Sequence, residues 1–144
     1  MKKLLSLFGM IALLSGCTAI EVNNHPSFHA KSLKTVCVIE NPKVVIKNFD
    51  NILINSFAKH NITAKIYPAN STPQFCEATV NYTALRSWDF APYMTYAQLI
   101  LIKDGKQVSD ATFRLRANGG LALNKWRSTQ TKIDELVSQL ITSK

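Results

Sequence analysis

The chain of 144 residues is predicted to fold as an α+β domain. The expected architecture is a mostly antiparallel sheet of about five strands with two helices on one face, in the order β-α-β-β-β-β-α. Three observations predict it. Two stretches carry apolar residues at the 3.6-residue period of a helix. Several others are β-branched or alternate apolar with polar, as strands do. Between two of these, Asp104-Gly105 is a two-residue hairpin signal.

Taken in order, Thr35 to Glu40 has apolar residues on both faces, the pattern of a buried central strand. Asn41-Pro42 ends it and offers a helix start, since Asn caps and Pro is tolerated at the first helical position. From Val44 to His60, Val45, Phe49, Ile52, Leu53 and Phe57 mark one helical face. Asn61 follows as a left-handed terminator. Ile62 to Tyr67 alternates as a strand. Strand, helix and strand at this spacing fit a βαβ unit. Glu77 to Trp88 is a longer strand, with Ala78, Val80, Tyr82 and Ala84 on one side. Tyr93 to Lys103 and Gln107 to Arg116 form the hairpin around Asp104-Gly105.

Counting outward from that turn sets Lys103 against Lys106, Ile100 against Ser109, Tyr96 against Phe113 and Met94 against Leu115. Met94, Tyr96, Ile100, Ala111, Phe113 and Leu115 then share an apolar face, and Arg114 and Arg116 point away from it. Ala117 to Gly120 is a flexible connection. A last helix is expected from Ser128, its N-cap, with a stripe of Ile133, Leu136, Val137, Leu140 and Ile141.

The N-terminus reads differently. Lys2 and Lys3 precede a short apolar run, Leu4 to Leu14, too short to span a bilayer. Ser15-Gly16-Cys17 then places a cysteine at the cleavage position. Leu14-Ser15-Gly16-Cys17 resembles the bacterial lipobox, whose cysteine is acylated on sulfur and, after cleavage, on its amine. Residues 1–16 are therefore expected to be a signal peptide and Cys17 the lipidated first residue. Cleavage leaves 128 residues and a side-chain charge of +6, because two lysines leave with the leader. Two or three acyl chains anchor a protein essentially permanently. Thr18, where an Asp in bacterial lipoproteins retains the protein at the inner membrane, points to the outer membrane, facing the periplasm.

Residues 17–32 are expected to be the lipidated cysteine and a flexible tether, and 33–144 a single domain. His25 and His29 in the tether have helical metal-ligand spacing. Pro26 lies between them and no third ligand is evident, so no metal and no cofactor are expected. In an exported protein the remaining pair, Cys37 and Cys76, is expected to form a disulfide.

The basic balance is read first as charge that keeps the domain soluble, and more sharply as favouring anionic surfaces such as lipid head groups or cell-wall carboxylates. Nucleic acid is not an expected partner, because the Lys and Arg residues are scattered and no nucleic-acid-binding motif appears. The expected partners are the membrane, through the lipid anchor, and an envelope protein or anionic envelope component. Arg86-Ser87-Trp88-Asp89-Phe90-Ala91-Pro92-Tyr93 gathers three aromatics and an Arg/Asp pair at a strand end. Lys125-Trp126 is a second aromatic-basic cluster. The candidate recognition patch is therefore Arg86, Trp88, Asp89, Phe90, Tyr93, Lys125 and Trp126. The alternative is a structured turn, with Asp89 capping backbone amides and Trp88 covering the core edge, and with Trp126 packed under the last helix.

No catalytic residue is expected. There is no nucleophile elbow, no phosphate-binding Gly loop and no His-Glu-x-x-His. Outside the tether, His60 is the one histidine. The lipobox, residues 36–44 (Val-Cys-Val-Ile-Glu-Asn-Pro-Lys-Val), residues 86–93 and residues 119–126 (Gly-Gly-Leu-Ala-Leu-Asn-Lys-Trp) together resemble a family of small proteobacterial lipoproteins without an assigned activity. The resemblance spans nearly the whole chain. It implies an envelope lipoprotein and supplies no catalytic residues. The layout is also similar to that of envelope transport-auxiliary lipoproteins. The functional expectation is a non-enzymatic binding or accessory module. An auxiliary subunit of a transport or secretion complex is the first alternative. A cell-wall enzyme, which would need Asp89, Arg86 and His60 to converge, is the second.

Overall fold

Val36, Cys37 and Val38 of the first predicted strand are fully buried, on a strand flanked by a neighbour on each side, as their two-sided apolarity requires. The computed structural model describes residues 18–24, 28, 32–71, 73–116 and 123–142. The leader, Cys17, His25, His29 and the Gly119-Gly120 connection lie outside the described residues. The elements are β1 (Thr18–Asn24), β2 (Thr35–Ile39), α1 (Phe49–Ala58), β3 (Thr63–Tyr67), β4 (Ala78–Asp89), β5 (Ala91–Lys103), β6 (Lys106–Leu115) and α2 (Thr129–Thr142), with a 3-10 turn at Leu123–Trp126 before α2. They form one sheet in the order β1-β6-β5-β4-β2-β3. Among the described residues no helix is long and apolar enough to cross a membrane.

The α+β class holds, but the strand count and order need correcting. There are six strands rather than five, and the sheet is mixed: β2 runs parallel to both β3 and β4, while the remaining pairings are antiparallel. The sixth strand comes from the stretch read as tether. Thr18–Asn24 pairs along β6, Thr18 opposite Leu115 and Asn24 opposite Ser109. Its composition is weakly patterned, so the partner strand supplies the order. Asn23 Nδ2 donates to Asp110 Oδ2 at 3.2 Å across the pair.

α1 begins later than predicted. Asn48, with φ of 58°, precedes it, and Val45 lies outside it and is exposed. Asn41 does not cap the helix. Its side chain accepts from Lys43 N at 3.1 Å and donates to the Tyr82 carbonyl at 2.8 Å, which pins the turn to β4. Asn61 does end the helical region in the left-handed conformation, φ 59°. In α2, Ser128 Oγ accepts from Thr131 N at 3.1 Å, the expected N-cap bond.

The helices touch each other. Asp134 of α2 accepts from Ser56 Oγ of α1 at 2.7 Å and from Nζ of Lys59, the residue that follows α1, at 2.5 Å. Leu53, Phe57, Ile133, Leu136, Val137 and Leu140 are fully or almost fully buried with Val36, Val38, Val80 and Leu99. Cys37 points to the opposite face of β2 from Val36 and Val38. There it is bonded to Cys76, with Cα atoms 5.6 Å apart, as expected for the pair.

The hairpin register also differs. Lys103 does face Lys106, but an irregularity next to Leu101 shifts the ladder. Ala97 then faces Phe113, Leu99 faces Ala111 and Leu101 faces Ser109. Ala97, Leu99 and Leu101 are buried, whereas Tyr96 and Ile100 turn to the other face. A bulge places two residues opposite one. It flips β5 while leaving Ala111, Phe113 and Leu115 inward and Arg114 and Arg116 outward. A turn count alone cannot detect this. Arg114 lies over the Tyr96 ring, 4.9 Å from its centroid, on that second face.

Candidate functional site

The β4–β5 hairpin runs past its neighbours at one end of the sheet. Arg114 pairs with Tyr96, so Leu115, and Thr18 opposite it, lie level with Thr95. β4 and β5 continue as a two-stranded arm from there to Asp89 and Ala91, which pair across Phe90 at the apex. A second irregularity, between Leu85 and Arg86, marks the base of the arm. Three antiparallel strand ends and the start of β1 therefore meet at this one end.

The predicted recognition patch is split by the structure into a crest and a foot. On the crest, Trp88 is 72% and Phe90 88% exposed, and Arg86 is exposed beside them. Arg86, Ser87, Trp88 and Pro92 line a shallow groove along the arm. Phe90 adopts φ of 58°. That conformation suits Gly or Asn and disfavours a bulky side chain by about 1–2 kcal/mol. A large apolar ring is thus kept in water on a backbone that a small residue would fit better, a pattern found where strain serves a function.

The foot is structural. Lys125 is only 5% exposed, and its Nζ lies 2.5 Å from Asp89 Oδ2. The same ammonium sits 4.4 Å from the Trp126 ring centroid and 5.5 Å from that of Tyr93, which is buried. Trp126 Nε1 donates to the Asp89 carbonyl at 3.1 Å. Asp89, Tyr93, Lys125 and Trp126 hold the arm to the 3-10 turn and leave Arg86, Trp88 and Phe90 facing solvent; the carboxylate of Asp89 meets the Lys125 side chain rather than backbone amides, and Trp88 does not cover the core edge.

Below the foot lies a residue that the sequence reading missed. Lys132 is fully buried, yet it is a lysine. Its Nζ donates to the carbonyls of Lys125 at 2.6 Å and Met94 at 3.0 Å, and it lies 5.6 Å from the centre of the Phe113 ring. Burial, with a smaller contribution from Arg127, pushes its ammonium down to about 8. A signal was present: Lys132, Leu136 and Leu140 are spaced by four, so Lys132 stands in the apolar stripe of α2. Its bonds join the turn before α2 to β5.

The carboxylates are also committed. Asp134 lies below the usual range: hydrogen bonds from Lys59, Ser56 and Gln130 outweigh the opposing effect of its burial. Tyr82 donates to Asp50, and burial together with that bond raises its hydroxyl well above the ordinary value. Two backbone amides, of Lys34 and Thr35, hold Glu77 low. His60 follows α1 near Thr63, where β2 and β3 begin, at the opposite end of the sheet from Asp89. Asp89, Arg86 and His60 are not brought together. Among the described residues no cluster of three His, Cys, Asp or Glu side chains could hold a metal.

No family model matches the chain, and no curated protein matches it. Among solved structures, the fold is similar to that of the PelC dodecamer from Paraburkholderia phytofirmans, at 15% identity and a TM-score of 0.55. The match covers 86% of this chain and 94% of that one. A point variant of the same dodecamer gives 13% identity and a TM-score of 0.53 over the same shares. At these identities the likeness is one of fold.

Proposed function

We propose that the chain is a lipid-anchored lipoprotein of the cell envelope, held by Cys17 at the outer membrane and facing the periplasm. In this reading it acts as a non-enzymatic binding or accessory module. The crest of the β4–β5 arm, Arg86, Trp88 and Phe90, meets an envelope protein or an anionic envelope component. The observation that carries the reading is Phe90: a fully presented ring, held in a left-handed conformation on an arm whose foot is fastened by Asp89 and Lys125. The Leu14-Ser15-Gly16-Cys17 box supports the anchor. In-cell crosslinking from position 88 tests the module. A discrete crosslinked envelope component is expected, either a protein or a lipid adduct on the monomer, and a monomer carrying no adduct on every exposure would overturn it.

A second reading is an auxiliary subunit of an envelope transport or secretion assembly. Fold likeness to a protein that forms dodecamers favours it. Among the described residues β1 and β3 are the edge strands of the sheet, and an edge strand can pair with a neighbour. Native mass measurement of the detergent-extracted full chain distinguishes a closed multimer from a single copy.

A further inference from the structure

We infer that the envelope component met by the Trp88–Phe90 crest is the bilayer that holds the anchor, and that the arm inserts its aromatic tip among the lipid head groups. The inference rests on the lipoprotein reading above and adds an orientation to it.

The first argument is topological. β1 begins at Thr18, so no tether separates the sheet from Cys17, whose Cα is a single peptide unit of about 3.8 Å away. Thr18 lies level with Thr95, and β5 continues from there up to Phe90 at the same end of the sheet. At about 3.3 Å per residue, the apex projects roughly 15 Å past the point where the anchor leaves the fold. Acyl chains on Cys17 bring that end of the sheet to the membrane, and the arm is the part that reaches furthest toward it.

The second argument is chemical. The projecting part carries Trp88, Phe90 and Pro92, all exposed, and Trp126 is part-exposed at its foot. Tryptophan is enriched at the membrane–water interface, where an apolar ring with one polar edge fits the head-group layer. Arg86 on the arm and Arg116, one residue beyond β6, are exposed, and among the described residues neither is ion-paired. The acid of the arm, Asp89, is already held by Lys125. This end therefore shows apolar rings and unopposed positive charge, which complements anionic head groups.

The test uses the full-length lipidated protein in vesicles of phosphatidylethanolamine and phosphatidylglycerol, with and without bromine on the acyl chains. Trp88 and Trp126 are the only tryptophans. In Trp126→Phe, emission from Trp88 is expected to fall by about half in brominated vesicles, as for an interfacial ring. If that variant does not fold, the wild type should be quenched and Trp88→Phe should lose most of the quenching. Unquenched Trp88 overturns the inference. That includes a Trp88 shielded from acrylamide, which would assign the crest to a protein partner, and one open to acrylamide, which would mean a sheet lying flat. Mass measurement of the same sample decides the anchor separately. Acylated protein with unquenched Trp88 sinks the insertion alone. Quenched Trp88 without acyl chains sustains the insertion and sinks the anchor.

Discussion

The ammonium of Lys125 lies 2.5 Å from the carboxylate of Asp89 and joins the turn before α2 to the tip of the β4–β5 arm. The pair is asymmetric: the lysine side chain is 6% exposed and the aspartate 41%. Removing the aspartate would take from a nearly buried ammonium its carboxylate partner at 2.5 Å. Asp89→Ala is expected to lower stability by about 1–3 kcal/mol, less than for a fully buried pair because water reaches the carboxylate side. Lys125→Met, which keeps the stem, should cost less. Urea unfolding of both variants measures the difference, and equal losses would contradict the account.

Phe90→Gly is expected to stabilise the protein by about 0.5–1 kcal/mol, because it relieves the left-handed strain and gives up no buried contact. The same variant should weaken attachment of the crest. Thermal unfolding and the crosslinking yield from position 88 read the two effects, and a destabilised Phe90→Gly would mean that the ring packs somewhere.

Trp88→Ala and Arg86→Ala should shift the melting temperature by no more than a degree or two, as is usual for exposed positions. Tyr93→Ala, at a buried ring over Lys125, should cost several times more. A large fall for Trp88→Ala would return the crest to a role in the scaffold.

Lys132 makes stability depend on pH in the alkaline range. Its folded value, about 8, lies below the ordinary lysine value of 10.5. Between these the unfolded chain binds the proton and the folded chain does not, so stability rises with pH across that window and is flat below it. Tyr82 opposes this above its ordinary value of 10.0, because its folded hydroxyl ionises later than the unfolded one. Subtracting the profile of Lys132→Met isolates the lysine. The difference should grow in favour of the wild type by about 2 kcal/mol from pH 8 to pH 10. A flat difference would mean that the amine keeps its charge in the core.

The Cys37–Cys76 bond closes a loop of about 40 residues around α1 and β3, worth about 4 kcal/mol in the chain-entropy model. Cys37→Ala/Cys76→Ala should lose stability of that order. Peptide mapping without reductant should recover the two cysteines joined, and two alkylatable thiols in freshly isolated protein would contradict the bond.

Much of this was legible because each signal was local. The stripe of Ile133, Leu136, Val137, Leu140 and Ile141 needs only helical period. Val36, Cys37 and Val38 announce a strand buried on both faces. Asp104-Gly105 is a turn by its own backbone preference, and Asn61 likewise. The candidate patch was found as a run of residues because aromatic and charged side chains cluster there in sequence.

What the sequence could not determine depends on partners distant along the chain. Thr18–Asn24 carries little pattern of its own and becomes a strand because β6 offers an unpaired edge. The bulge beside Leu101 flips β5 because Ala97, Leu99 and Leu101 meet the helices, a choice that core packing makes and a turn count does not see. Lys132 can be buried because the carbonyls of Met94 and Lys125 converge on its amine from two other elements. The patch divides into foot and crest only when α2 and its leading turn dock, placing Lys125 against Asp89 and leaving Trp88 and Phe90 outside. The sequence by itself determined the class of fold, the paired cysteines as candidates and the composition of the arm. Tertiary structure decided which of those side chains hold the arm and which face outward, because burial and pairing are properties of the assembled sheet rather than of any segment in it.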